Sequence, residues 1–272
     1  MDAPTMLQVT RHPSAGEEGG GEPGSVVELT LDRPEAMNAI STAFAQEITA
    51  TTAALAADPT VRAVVLTSAH DRAFCVGADL KERNGFTDAQ MMDHRLVSKL
   101  AYRGVLDLPV PAVAAVEGYA LGGGLELALS CDLLVAGTGA TLALPEVGVG
   151  VIPGGGGTQL LTRRVGWSRA ASMIFTGRRL GAQEAHDLGV VDELAEAGSA
   201  RGRALELAAT IAANSPVAVR NAKRAMRMGM GTDLAAGLEI EDGAWRATAF
   251  SRDRAEGVAA FAEKRRPQWP GR

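Results

Sequence analysis

Cysteine is nearly absent. The 272-residue chain has two, Cys75 and Cys131, each inside an apolar run. That excludes a disulfide framework and points to buried free thiols in a reducing compartment. Positive charge is not in excess either: 27 Lys and Arg stand against 32 Asp and Glu, a net charge of −5. General affinity for nucleic acid or an anionic membrane surface is therefore not expected. The segment 42–57, which reads as a helix, contains no lysine or arginine, and that argues further against an RNA-binding face. No apolar run approaches the roughly 20 residues of a membrane span. Met1 to Ala15 lacks the basic start and apolar stretch of a secretory signal, so a cytoplasmic location is expected. No GxGxxG follows a strand and no GxxxxGK[ST] occurs, which disfavours NAD and nucleoside triphosphate. The histidines, His12, His70, His94 and His186, show no metal-ligand spacing, and no separate metal or cofactor is expected. His70 and His94 read as surface residues near loops.

What is present is a globular composition, 46% hydrophobic and 22% charged, enough for a sizeable core. Leu7 to Arg11 reads as a strand, and His12 to Gly24 is a glycine- and glutamate-rich loop without an apolar anchor. Ser25–Leu31, Ala63–Thr67, Val113–Val116, Leu133–Ala136 and Thr141–Leu144 read as strands. Helices are expected over 42–57, capped by Ser41, and over 88–106, capped by Thr87. Short buried strands alternating with helices argue for a layered α/β core of β-β-α units. From about Ser168 the pattern becomes helical. The division expected is 1–24 as a strand and loop, 25–195 as the α/β core, and 196–272 as a helical C-terminal region.

The stretch from Leu121 to Glu146 carries the chemistry. Gly122, Gly123 and Gly124 stand directly before an apolar helical segment. Successive glycines there permit close backbone approach and leave N–H groups at the positive end of a helix. Such an end binds an anion or a developing oxyanion. Glu126 lies one turn into the segment, either as a solvated N-terminal charge or as a carboxylate in a pocket. Glu146 follows Pro145 in an otherwise apolar run, where a lone carboxylate is costly to bury. Two carboxylates sharing a site titrate as a pair, one pKa raised, and supply both base and acid. Gly154 to Gly157 then open another helix.

LDRPEAMNAIS (31–41), AFCVGADLKE (73–82), VEGYALGGGLELALSCD (116–132), LPEVGVGVIPGGGGTQLL (144–161), FTGRRLGAQEAHDLGVVDE (175–193) and AFAEKRRPQW (260–269) occur in this order. In them the chain resembles the crotonase superfamily, the enoyl-CoA hydratase/isomerase family, over nearly everything from Ser25 onward. The resemblance implies a crotonase (ClpP-like) spiral of repeated β-β-α units with a helical C-terminal trimerisation region. It implies reversible addition of water to a 2-enoyl-CoA. The thioester oxygen would rest on the backbone N–H groups of Ala78 and Gly123, each worth roughly 3 kcal/mol. Glu126 and Glu146 would hold the water between them, with Glu146 delivering the proton to the α-carbon. Gly154 and Tyr119 would lie near the reacting atoms. Ala36, Asp79, Leu80 and Lys81 would line the CoA pocket, with Phe261 and Lys264 reaching it from a neighbouring subunit of a trimer or a pair of trimers. CoA enters as part of the substrate. Sister activities of the family, 3-methylglutaconyl-CoA hydratase, carnitinyl-CoA dehydratase or enoyl-CoA isomerase, are the alternatives, and RNA binding is a remote one.

Overall fold

The computed structural model describes residues 5–13 and 24–272. β1 (Leu7–Pro13) and β2 (Ser25–Leu31) pair antiparallel. The glycine-rich loop expected over 12–24 falls, for Ser14 to Pro23, outside the described residues. His12 and Pro13 finish β1 instead, and His12 Nε2 sits 2.8 Å from the buried Glu28 carboxylate. α1 (Thr42–Ala57) is capped by the Ser41 hydroxyl, which accepts from the Phe44 N–H.

Then a unit repeats. β3 (Val61–Ser68) enters one sheet and β4 (Ala73–Cys75) enters a second. α2 (Leu80–Arg83) and α3 (Asp88–Leu106) follow, α3 starting at a capping box of Thr87 and Gln90. β5 (Ala112–Val116), β6 (Tyr119–Leu121) and α4 (Gly123–Leu129) make the next unit. β7 (Leu133–Gly137), β8 (Thr141–Ala143) and α5 (Gly157–Val165) make the third. α6 (Trp167–Thr176), β9 (Leu180–Gly181), α7 (Ala182–Asp187), β10 (Glu193–Ala195) and α8 (Ala200–Ala212) complete the layers. α9 (Pro216–Gly229), α10 (Leu234–Ala249) and α11 (Arg252–Glu263) close the chain.

The larger sheet runs β1-β2-β3-β5-β7-β10, and the smaller runs β4-β6-β8-β9. Within each, the strands from successive units are parallel neighbours. Each unit thus advances both sheets by one strand. β6, absent from the strands read off the sequence, is one of the two central strands of the smaller sheet.

The inner strands of the larger sheet, β2, β3, β5 and β7, are buried on both faces, as their near-continuous apolar runs require, while the edge strand β1 is largely exposed. Val64, Leu66, Ala114, Val116 and Leu134 face the main core, where Phe44, Phe74 and Leu127 pack. The alternate residues Ala63, Val65, Val113, Ala115 and Val135 meet a second cluster. That cluster is closed by Ala200, Ala204, Ala208 and Ala212, a stripe at i, i+4 spacing along α8. α8 therefore covers the sheet, and α9 to α11 lie beyond it. α9 is tied back through Lys223 and Arg227, which both bind Asp132 (2.7 and 2.8 Å).

Candidate active site

Parallel neighbours end side by side. The chain leaves β4 through Gly77 and Ala78, β6 through Gly122 and Gly123, and β8 through Pro145 and Glu146. Three segments far apart in sequence therefore converge at the carboxyl ends of three adjacent strands, the place where open α/β sheets take ligands.

Each glycine of the triplet has its own reason. Gly122 has φ +53°, and a Cβ there would sit 3.1 Å from Glu146 Oε1. A Cβ on Gly123 would fall 2.3 Å from the Tyr102 hydroxyl, and one on Gly124 would fall 1.9 Å from the Cys75 carbonyl oxygen. The start of α4 therefore lies directly on the end of β4. A Cβ on Gly77 would be 2.9 Å from the Gly123 nitrogen, so the Gly77–Ala78 turn and the α4 N-terminus touch. Gly123 is the first residue of α4, where an N–H has no partner within the helix. Ile40 bridges across Ala78, donating to the Gly77 carbonyl (2.7 Å) and accepting from the Asp79 N–H (3.1 Å). In such a parallel bridge the N–H of Ala78 itself points away from Ile40. The structure thus brings Ala78 and Gly123 together with both N–H groups available.

Glu126 is 3% exposed. The solvated-charge alternative for it is thereby removed. Its Oε1 accepts from the N–H groups of Gly155 and Gly157, both at 2.7 Å, at the glycine run that opens α5. Burial raises its pKa; the N–H groups of Gly157, Gly155 and Gly154 and the charge of Arg95 oppose that rise. Glu146 is half-buried and its Oε2 has no hydrogen-bond partner. Burial, with the nearby Glu126 charge adding to it, pushes its pKa up to about 7. The two carboxylates differ by environment: one is cradled by N–H donors, the other holds a proton near neutrality.

Two side chains escaped sequence reasoning. Tyr102 is buried with its hydroxyl at Gly123, and a Cβ on Gly155 would strike its ring at 2.8 Å. Burial holds its phenol pKa well above the usual range, and the Glu126 charge acts in the same direction. Arg95 lies against Gly154, its guanidinium carbon 3.6 Å from the position of a Cβ there. Both sit on α3 seven residues apart, hence on one face, and only that spacing could have linked them.

Other expectations shift. Tyr119 opens β6, at the opposite end from Gly122; it is 41% exposed, with Arg179 over its ring at 6.0 Å. It is a surface residue because the strand alternates inward at Ala120. His94 is buried, not at the surface: its Nδ1 meets the Thr42 hydroxyl at 2.9 Å and its Nε2 accepts from Arg83 Nε at 3.2 Å. Burial lowers its pKa, and the Arg83 charge adds to that. His70 is half-buried, its backbone tied to Ser68.

Among the expected CoA contacts, Ala36 ends a short 3-10 turn, and Leu80 and Lys81 are exposed at the start of α2. The Asp79 carboxylate is occupied structurally, capping α2 and pairing with Arg33 at 2.8 Å. Phe261 and Lys264 are exposed at the end of α11, which packs against α9 and α10 within the chain. Cys75 and Cys131 are buried and free, their thiols pushed up to about 12 by burial. Among the described residues no cluster of three or more His, Cys, Asp or Glu could hold a metal ion, and no helix is long and apolar enough to cross a membrane.

A mixed α/β spiral whose units each add a strand to two sheets is the crotonase fold. An enoyl-CoA hydratase from Bacillus anthracis superposes with a TM-score of 0.92 at 38% identity, covering 98% of this chain and all of that one. The family described as enoyl-CoA hydratase/isomerase matches residues 21–272, and the chain belongs to it. A putative enoyl-CoA hydratase/isomerase of Bacillus subtilis, YngF, is 45% identical over 89% of this chain and 94% of its own length. The mitochondrial methylglutaconyl-CoA hydratase of mouse is 40% identical over 90% of this chain and 80% of its own.

Proposed function

We propose that this enzyme hydrates a 2-enoyl-CoA to the 3-hydroxyacyl-CoA, with Glu126 and Glu146 as base and acid. The observation that carries the reading is two glutamates at one site, one buried and one half-buried, with different partners: Glu126 Oε1 accepts from two backbone N–H groups, and Glu146 Oε2 has none. Glu126 serves as the base: its carboxylate form takes a proton from water as the oxygen attacks the β-carbon. Glu146, its pKa raised to about 7, gives a proton to the α-carbon. The thioester oxygen gains negative charge between those steps, and in this reading the N–H groups of Ala78 and Gly123 donate to it. An isomerase that only shuttles one proton along the chain has no need of a second carboxylate to activate water, which favours hydration. The exposed α9–α11 surfaces suit a homo-oligomer, a trimer or a pair of trimers, in which Phe261 and Lys264 would reach a neighbour's CoA. A cytoplasmic location and a role in fatty acid metabolism accompany the reading.

Glu146→Gln keeps the shape and removes the proton donor. Hydration of crotonyl-CoA, followed by loss of the enoyl absorbance, should fall by about 10²- to 10⁴-fold. Unchanged turnover would reject the mechanism.

A further inference from the structure

The two glutamates and the two N–H groups leave Tyr102 without a part in the chemistry, yet it stands between them. Tyr102 belongs to α3 and is 6% exposed. Three of its ring carbons, Cδ2, Cε2 and Cζ, lie at the same 2.8 Å from the Cβ position of Gly155. A point equally far from three atoms of a ring lies over its face, so the ring covers Gly155. The hydroxyl oxygen is 2.3 Å from the Cβ position of Gly123, and the carbon that bears it is 3.4 Å away. The C–O bond therefore points at Gly123. Gly155 donates its N–H to Glu126, and Gly123 opens α4. The phenol thus spans from the cradle of the base to the α4 N-terminus. A glycine stands at each end because a Cβ at either place would strike it.

A phenyl ring would fill that space as well; the hydroxyl needs a separate reason. It makes no hydrogen bond among the described residues and, unlike Glu146 Oε2, it is not sealed from solvent. A tyrosine this deeply buried ordinarily has a partner for its O–H, and going without one is costly. Burial and the nearby Glu126 charge keep the phenol protonated, so it is a donor; Glu146 acts on it in the same direction but less strongly than Glu126. The hydroxyl is thus on the side of the site where Glu126 works. Both backbone N–H groups bind Oε1 of Glu126, which leaves Oε2 for water. An attacking water has two protons and two lone pairs. One proton goes to Glu126, the other faces Glu146, and one lone pair attacks the β-carbon. The second lone pair is open to a donor.

We propose that the Tyr102 hydroxyl donates a hydrogen bond to the attacking water and so aims its other lone pair at the β-carbon. Tyr102 is then a third catalytic residue. It keeps its own proton throughout, and no bond to it forms or breaks. The role rests on the reading of the site as an enoyl-CoA hydratase.

Tyr102→Phe keeps the ring and removes the hydroxyl, and two reactions of one site separate its possible duties. Hydration of crotonyl-CoA needs the water. Exchange of the α-protons of butyryl-CoA in D2O, followed by NMR, needs the thioester-oxygen donors and Glu146 but no water at the β-carbon. The expected result for the variant is a kcat for hydration lower by about 10- to 100-fold, with KM changed by less than about 2-fold. Exchange and the thermal midpoint should stay as in wild type. Exchange that falls as far as hydration would assign the hydroxyl to the thioester oxygen or to the fold, and would overturn the proposal. Unchanged hydration, or a raised KM at constant kcat, would overturn it too. A wild type that exchanges butyryl-CoA but hydrates no enoyl-CoA would strike the hydratase reading itself, and this role would fall with it.

Discussion

The α/β core and the helices α9 to α11 bury their apolar residues in opposite ways. In the core, strands such as β5 are buried at every position, and α8 supplies alanines to close the second face. In the C-terminal helices, Pro216 on α9, Ala244 on α10, and Asp253 and Ala260 on α11 are the buried residues. Met226, Leu234, Trp245, Phe250 and Phe261 stand open, from 64% to 89% exposed. A groove of about 710 Å³ runs between α9 and α10, lined in part by Met226, Leu234, Leu238 and Trp245. The core completes itself within one chain; the C-terminal helices present apolar surface in a quantity that marks an interaction face. Charge follows the same division. Arg265 on the exposed side holds the Glu256 carboxyl down at about 2, whereas Glu146 in the core is held up at about 7 by burial.

The sharpest way to break the comparison is inside the core, where nothing can yield. Gly124→Val would drive a β-branched side chain into the Cys75 carbonyl, since even the Cβ would lie 1.9 Å from that oxygen. The neighbour is backbone of β4, held in the smaller sheet, so it cannot rotate away. We expect a loss on the order of 4 kcal/mol or more, read as little soluble protein or a collapsed thermal midpoint. Gly202→Ala on α8, where a Cβ meets nothing within 4 Å, is the control and should be neutral or slightly stabilising. A normal melting curve for the valine variant would refute the packing described for α4 against β4.

Next in size is the Glu146 carboxylate, a charge that burial disfavours. In the folded chain burial pushes the Glu146 pKa up to about 7, against 4.5 for an exposed glutamate. Between those values the native state holds a proton that the unfolded chain has released. Stability from this group is therefore fully present below about pH 4.5 and is lost as pH rises through 7. Glu146→Gln lacks that dependence. The variant should match wild type near pH 4.5 and exceed it by about 2 to 3 kcal/mol at pH 8, measured by urea unfolding at both pH values. The same titration governs catalysis: wild-type kcat/KM should decline above pH 7 as the acid is lost. A stability difference that does not change with pH would mean that Glu146 is solvated in the folded state.

How much of this the sequence disclosed follows from the same division. Glu126 and Glu146 stand out as lone carboxylates in apolar runs and Gly123 as part of a glycine triplet, whereas Ala78 comes from the family resemblance alone; the structure brings Gly77–Ala78 against Gly123, and Gly122 against Glu146. The layered strands and the caps at Ser41 and Thr87 were legible as local signals. β6 was not, since Tyr119–Leu121 is three residues long and adjoins a glycine turn, and its pairing with β4 and β8 is nonlocal. Arg95, Tyr102 and His94 were missed because α3 presents a mixed surface whose inward face is chosen by the elements it packs on. His94 looked like any loop-proximal histidine until Thr42 and Arg83 were seen to satisfy both ring nitrogens. Tyr119 was misplaced by proximity in sequence: it adjoins the glycine triplet but points outward at the other end of a strand.

The smallest effect on the folded chain, and the largest on its assembly, is expected at the C-terminal helices. Trp245 is 64% exposed and Leu238 is 53% exposed, both on α10 and both lining the groove against α9. Replacing them together by serine removes apolar surface that one chain leaves open, so the unfolding free energy of the isolated chain should move by less than about 1 kcal/mol. If this face is covered by other copies, the same double substitution should reduce the mass seen by sedimentation or light scattering, at protein concentrations where wild type stays assembled. Activity would then fall with assembly while Glu126 and Glu146 remain in place, and raising protein concentration would recover part of it. An unchanged mass would show that the exposed α10 face is not an interface between copies. A large loss of stability in a monomeric sample would show instead that α10 is part of the core, and the contrast between the two regions would not stand.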